Sequence, residues 1–224
     1  MKKILYLGLD LPCELQGKEV THCPLIKIQP RPKEHAAIMQ AFAELSAFTH
    51  LIFTSKSAVR IFFDYAAIQG VALIELNLKI FLAVGQKTAQ ELKNYGITQV
   101  IVASAETAEG VIALLATLDL KNSFLFWPHS VLSRSLITDW LQAQQLKHYA
   151  CIFYDTVLNI PEPLPDISSY DEIIFTSPST IDAFCAIFEK LPINKTLSCI
   201  GPITEKYLKD LSLKDQTGRL TGNS

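Results

Sequence analysis

IIFTSPST (Ile173–Thr180) and LIFTSKSA (Leu51–Ala58) write the same junction twice. Each opens as a short apolar run rich in Ile, Leu and Phe, the pattern of a strand covered on both faces. Each then turns at Thr-Ser and enters a helical pattern. Ser55 and Ser177 stand where a helix N-cap is expected, and Pro178 takes a first helical position, where a missing N–H costs nothing. The likeness continues downstream: FTSKSAVRIFF leads to LAVGQKTAQELKNYGI, and FTSPSTIDAF leads to SCIGPITEKYLKDLSL. Both halves therefore read strand, T-S-x-S, helix, strand, G-x-x-T, helix. Gly85 and Gly201 mark tight turns, and Thr88 and Thr204 fall in the first turns that follow.

Outward from these junctions the alternation holds. Further strands are expected at Ile4–Leu7, His50–Phe53, Ile80–Val84, Gln99–Val102, Ser123–Phe126, Glu172–Phe175 and Leu197–Ile200. Helices are expected at Glu34–Leu45, Ser57–Gln69, Lys87–Tyr95, Ala108–Ala116, Leu132–Gln144, Thr180–Glu189 and Ile203–Leu211. This is the sequence form of an α/β fold with mainly parallel sheets. Two stretches differ, VTHCPLIKIQP (Val20–Pro30) and KHYACIFYDTVLN (Lys147–Asn159). Both read as extended and lead into prolines, as linkers do. The expected organisation is a discontinuous domain of residues 1–28 plus 157–224, an inserted domain of residues 32–148, and linker strands over 20–31 and 147–158.

Composition narrows the function. The 224 residues carry a formal charge of −2 and are 49% hydrophobic, which suits a packed core. That charge argues against nucleic-acid binding by bulk phosphate neutralisation, while leaving room for an anionic small ligand. Five cysteines without a C-x-x-C pair read as reduced thiols of a cytoplasmic protein. Lys2 and Lys3 precede an apolar run that Asp10 and Pro12 cut short, so a first strand is expected there rather than a signal peptide. Neither a dinucleotide nor a P-loop glycine motif is present, and the five histidines form no metal-ligand spacing, so no cofactor or metal is expected.

In parallel α/β sheets, strand-to-helix junctions lie at the carboxyl ends of the strands, where ligands bind. Helix starts offering free N–H groups beside Thr54, Ser55, Ser57, Ser177 and Ser179 are equipment for anions. The same residues are also ordinary caps and turns, and their pattern alone leaves both uses open. Tyr154, in FYDT, is a hydrogen-bond or proton donor beside an interdomain cleft, or a tyrosine packed at a hinge. His129, in FWPHS, is a candidate acid or base, or a loop histidine.

Taken together, PLIKI (Pro24–Ile28), IFTSKSAV, AVGQKTAQEL, TAEGVIALL (Thr107–Leu115), Arg134, FYDT, DEIIFTSPSTIDAF and CIGPITEKYL resemble the uroporphyrinogen-III synthase family, in the family's order and over most of the chain. The resemblance implies two similar flavodoxin-like parallel-sheet domains, one inserted in the other, joined by a two-stranded β linker, with the active site in the cleft between them. It implies cyclisation of hydroxymethylbilane, a linear tetrapyrrole polycarboxylate, to uroporphyrinogen III in haem biosynthesis, with the last ring inverted and water lost. Tyr154 matches the family's catalytic tyrosine. Thr54, Ser55, Ser57, Gly85, Thr88, Thr107, Glu109, Gly110, Arg134, Ser177, Ser179, Gly201 and Thr204 are the matching substrate-binding positions. A monomer with neither a nucleic-acid nor a membrane partner is expected. This chain departs from the family pattern at Leu9–Glu19, which leaves barely room for a helix, at WPHS, where the family has arginine-glycine, and at a shortened carboxyl end. A non-catalytic two-lobed protein for an anionic ligand, or a degenerate synthase-like partner surface, is the competing reading.

Overall fold

The computed structural model describes residues 2–17, 19–192 and 194–220, with side chains to residue 213. Met1, Lys18, Ile193 and residues 221–224, all within the expected discontinuous domain, lie outside the described residues. Along the chain, β1 (Ile4–Tyr6), β2 (Val20–His22) and β3 (Ile26–Pro30) precede α1 (Ala36–Ala43). Next come β4 (His50–Phe53), α2 (Lys56–Ile68), the single-turn α3 (Leu73–Leu76), β5 (Ile80–Ala83), α4 (Gln86–Asn94), β6 (Val100–Val102) and α5 (Ala108–Leu115). The chain continues through β7 (Phe124–Ser130), α6 (Leu136–Ala143), β8 (Lys147–Leu158), β9 (Glu172–Phe175), α7 (Pro178–Phe188), β10 (Thr196–Cys199) and α8 (Pro202–Leu220). It divides into two compact units, the first made of Met1–Lys27 and Thr156–Ser224, the second of Ile28–Asp155.

In the second unit the strands alternate between two cores, as a sheet covered on both faces must. Leu51 and Phe53 of β4 face the cluster built on Ile38 of α1 and on Val59, Phe62 and Ala66 of α2, while Ile52 between them joins Val111, Leu115, Ile137 and Leu141 of α5 and α6. The α2 residues recur at three- and four-residue spacing, so one stripe of the helix is buried. In the first unit Leu5, Ile173 and Phe175 pack with Ile181 and Phe184 of α7, and the Phe175 and Phe184 rings meet edge to face at 5.5 Å.

Strand order separates the units. The first has the parallel order β10-β9-β1-β2, which counted within the unit is the flavodoxin order 2-1-3-4. The second runs β8-β7-β4-β5-β6 in parallel, which counted within the unit is the other doubly wound order, 3-2-1-4-5. The flavodoxin order expected for both therefore holds in one. In space the match is closer. Each T-S-x-S strand (β9, β4) has its G-x-x-T strand (β10, β5) on one side and two parallel strands on the other, β1 and β2 or β7 and β8. The chain order of the two strand pairs is exchanged, and the second unit adds β6 beyond β5.

Three further details differ from the sequence reading. Val20–Pro30 is divided, since β2 pairs with β1 inside the first sheet and β3 lies beside β8. The bonds Arg31 N to Phe153 O (2.9 Å) and Asn159 N to Leu25 O (2.8 Å) run antiparallel along β3 and β8. Strand β7 continues through Trp127-Pro128-His129 to Ser130, and beyond Phe126 it keeps only β8 as a partner, where a proline is tolerated. Arg134 consequently precedes α6 instead of lying on it. As expected of Leu9–Glu19, which leaves barely room for a helix, the described residues between β1 and β2 hold a single 3-10 turn, Cys13–Leu15.

Candidate functional site

At the end of β4, Ser55 adopts an extended backbone (φ −159°, ψ 154°) and its Oγ accepts the Ala58 N–H at 3.0 Å, which caps α2. The same Oγ stands 2.8 Å from the phenol oxygen of Tyr154 on β8. Tyr154 pairs across the ladder with Ser130 of β7, and the Ser130 side chain is its second hydroxyl neighbour. The tyrosine is 5% exposed. Burial pushes its phenol above the ordinary value, and the hydrogen bonds with Ser55 and Ser130 oppose that rise, so the group is neutral at pH 7. Thr54 Oγ1 accepts from the indole N–H of Trp127 at 3.3 Å. His129 stacks on that indole at 4.2 Å, and its Nδ1 donates to the Ser130 carbonyl, 2.9 Å away. Burial lowers the His129 imidazole below its usual value, so it is neutral at pH 7 and Nε2 carries its lone pair. Ser57, in the first turn of α2, is half-buried.

After β5, Gly85 has an extended backbone and a carboxylate against it. A Cβ there would lie 2.3 Å from Glu106 Oε1, and that oxygen accepts the Gln86 N–H at 3.2 Å. The positive start of α4 thus already holds an anion from the protein itself. Thr107 caps α5 by accepting the Gly110 N–H at 3.0 Å. Gly110 is required there, because a Cβ would meet the Ala105 carbonyl oxygen at 2.1 Å. Arg134 is likewise engaged, donating to both oxygens of Glu109 at 2.9 and 3.0 Å. That guanidinium holds the Glu109 carboxyl below the usual range. Thr88 is buried, 4% exposed, beneath the first turn of α4.

In the first unit Ser177 repeats the backbone of Ser55 (φ −161°, ψ 160°) and caps α7 by accepting from Thr180 N at 3.3 Å. Thr180 Oγ1 accepts in return from Ser177 N at 3.2 Å, completing a capping box. The Ser177 and Ser179 hydroxyls are 2.8 Å apart. Gly201 has φ +88° with open space around it, and Thr204 is buried, 3% exposed. Gly8, Tyr6 and His22, not anticipated as site residues, gather beside Thr176. A Cβ on Gly8 would fall 2.6 Å from Thr176 Cγ2 and from the Tyr6 oxygen, and His22 Nε2 is 2.7 Å from the Gly8 carbonyl. The available signal was a glycine directly after the first strand.

Within the second unit the expected residues thus form two groups at the carboxyl ends of neighbouring strands, one around Ser55 and Tyr154 and one around Gly85 and Thr107, where the unanticipated Glu106 also lies, with Arg134 bound to Glu109. In the first unit Ser177 and Ser179 stand at the end of β9, and Gly201 and Thr204 at the end of its neighbour β10. An apolar pocket of about 410 Å³ between Ile167, Phe184, Phe188 and Leu191 includes none of these residues. Among the described residues, no cluster of metal-ligating side chains is present and no helix is long and apolar enough to cross a membrane.

Comparison with known proteins bears on this arrangement. A family model described as uroporphyrinogen-III synthase HemD matches residues 10–217. The porphyrin biosynthesis protein HemD of Ruminiclostridium josui is 26% identical over 209 residues, which are 88% of this chain and 40% of that protein. The chain therefore spans well under half the length of that relative. A uroporphyrinogen III synthase of Thermus thermophilus superposes with a TM-score of 0.63 at 16% identity, covering 95% of this chain and 90% of the other. A uroporphyrinogen-III synthetase of Helicobacter pylori gives 0.62 at 20% identity with the same coverage. At such identities the two structures speak for the fold, and the family match covers nearly the whole chain. On that match, the chain belongs to the uroporphyrinogen-III synthase family.

Proposed function

We propose that this protein is a uroporphyrinogen-III synthase, a cyclising lyase that closes hydroxymethylbilane to uroporphyrinogen III with inversion of the last ring and loss of water. One observation carries the reading: in a chain of this family, the matching tyrosine is buried, neutral and hydrogen-bonded to a helix-capping serine. A neutral phenol is a proton donor suited to a departing hydroxyl. The remaining task is geometric, because the bilane must be held so that the substituted carbon of its last ring is the one attacked.

Holding falls to the helix starts. Amides and hydroxyls at Thr54, Ser57, Ser177, Ser179 and Gly201 donate to substrate carboxylates, each charge–dipole contact worth about 0.3–1 kcal/mol. Thr88 and Thr204 support the turns that present those amides. Gly85 with the start of α4, and Arg134 near Thr107 and Gly110, exchange their internal carboxylates, Glu106 and Glu109, for those of the substrate. In this reading the two units are the family's two lobes, β3 and β8 are the linker, and the enzyme is a cytoplasmic monomer acting on a small molecule.

The test supplies freshly prepared hydroxymethylbilane and separates the product isomers. Formation of the type III isomer faster than spontaneous closure is expected. Recovery of type I alone would reject the assignment.

A further inference from the structure

The phenol oxygen of Tyr154 has two hydroxyl neighbours, and the backbone constrains both. Ser55 Oγ already accepts the Ala58 N–H at 3.0 Å and lies 2.8 Å from the phenol. Ser130 Oγ already accepts the Leu132 N–H at 3.1 Å and is the phenol's other side-chain partner. A hydroxyl has one hydrogen and two lone pairs, so each serine, with one lone pair filled from the backbone, keeps its hydrogen to donate. A phenol oxygen accepts two such bonds and still donates its own hydrogen elsewhere.

We infer that Ser55 and Ser130 both donate to Tyr154 and act as positioning residues, turning the phenol hydrogen outward to the substrate hydroxyl and stabilising the phenolate formed when that proton leaves. The inference rests on Tyr154 being the acid of the proposed reaction. The phenol O–H breaks and its proton joins the substrate hydroxyl oxygen. The C–O bond breaks with its electron pair on that oxygen, which departs as water, and the pyrrole nitrogen lone pair fills the carbon left behind. The phenolate keeps the O–H electron pair under two serine donors, an oxyanion arrangement. After ring closure the pyrrole carbon sheds a proton, which restores the phenol.

The first unit supplies the control. Ser177 has the same backbone and the same capping role, yet its hydroxyl pairs with Ser179. Capping alone does not call for a buried phenol.

The test uses the full chain with Tyr154→Phe, Ser55→Asp, Ser55→Thr and Ser130→Ala. Aspartate still caps a helix but has no hydrogen to donate, so it separates capping from positioning. Steady-state rates are measured on hydroxymethylbilane, and the Tyr154 titration is followed in protein labelled at tyrosine Cζ, the resonance assigned by its loss in Tyr154→Phe. Ser55→Asp and Ser130→Ala are expected to lower kcat roughly tenfold or more with KM within about twofold, and to raise the Tyr154 titration. Ser55→Thr is expected to restore both. Should Ser55→Asp fail to fold, Ser130→Ala, which removes no cap, carries the test. Wild-type kcat and an unmoved titration in Ser130→Ala and in a folded Ser55→Asp, beside an impaired Tyr154→Phe, would overturn the inference alone. A Tyr154→Phe enzyme at wild-type rate would overturn the reading beneath it.

Discussion

The two T-S-x-S junctions agree in backbone to within a few degrees, and the two G-x-x-T junctions do not. Ser55 and Ser177 are extended N-caps that each accept an amide three residues ahead. Gly85 is extended and pressed by Glu106, whereas Gly201 is left-handed and open. A cap is completed within its own turn, so a repeated sequence repeats it. The glycine environments depend on a residue elsewhere in the chain, Glu106, 20 positions from Gln86. The serines diverge by the same rule, since Ser55 meets a tyrosine 99 residues away while Ser177 meets its near neighbour Ser179. Local geometry repeats with the local sequence, and long-range contacts give each copy different surroundings.

The comparison can be broken most sharply at Tyr154. Tyr154→Phe keeps the ring and removes the proton, and turnover is expected to fall about a hundredfold with the fold intact, read as kcat and as the type III share of product. Gly110→Ala comes next. A methyl group 2.1 Å from the Ala105 carbonyl forces the loop off α5, and denaturant unfolding is expected to register a loss of about 1–3 kcal/mol.

The glycine pair then separates by mechanism. Gly201→Ala strains a left-handed backbone and is expected to cost about 1 kcal/mol. Gly85→Ala has an accessible backbone and displaces only the flexible Glu106 side chain, so a few tenths of a kcal/mol are expected. Equal costs would remove the distinction. The smallest effect is in pH. Burial lowers the folded-state value of His129, so the unfolded chain binds the proton more readily. Its stability contribution is present above the unfolded value of about 6.5 and is lost as pH falls through the folded value. His50, also lowered by burial, acts in the same sense. Melting curves of His129→Gln are expected to show a shallower loss on acidification than those of wild type.

What the sequence disclosed follows the same division. The apolar runs, the Ser55 and Ser177 caps, Pro178 at the first position of α7 and the periodic face of α2 are local, and they could be read. Strand order could not, because the apolar pattern of β4 is the same whichever strands flank it. The extension of β7 through Pro128 was hidden for a related reason: a proline ends a central strand, and only the sheet reveals that β4 no longer flanks it there. The candidate site was legible as a set of residue types at strand ends. Glu106 on α4, Glu109 on Arg134 and Ser130 on Tyr154 were not, since each pairing depends on tertiary geometry.

In the proposed function, one junction used twice serves chemistry at Ser55 and substrate grip at Ser177. Its most direct test is the paired kinetics of Ser55→Asp and Ser177→Asp, both of which keep their helix caps. Ser55→Asp is expected to lower kcat with KM nearly unchanged, and Ser177→Asp, which sets a negative charge beside the carboxylate site proposed there, to raise KM severalfold with kcat retained. The same change in both variants, or none in either, would contradict the account.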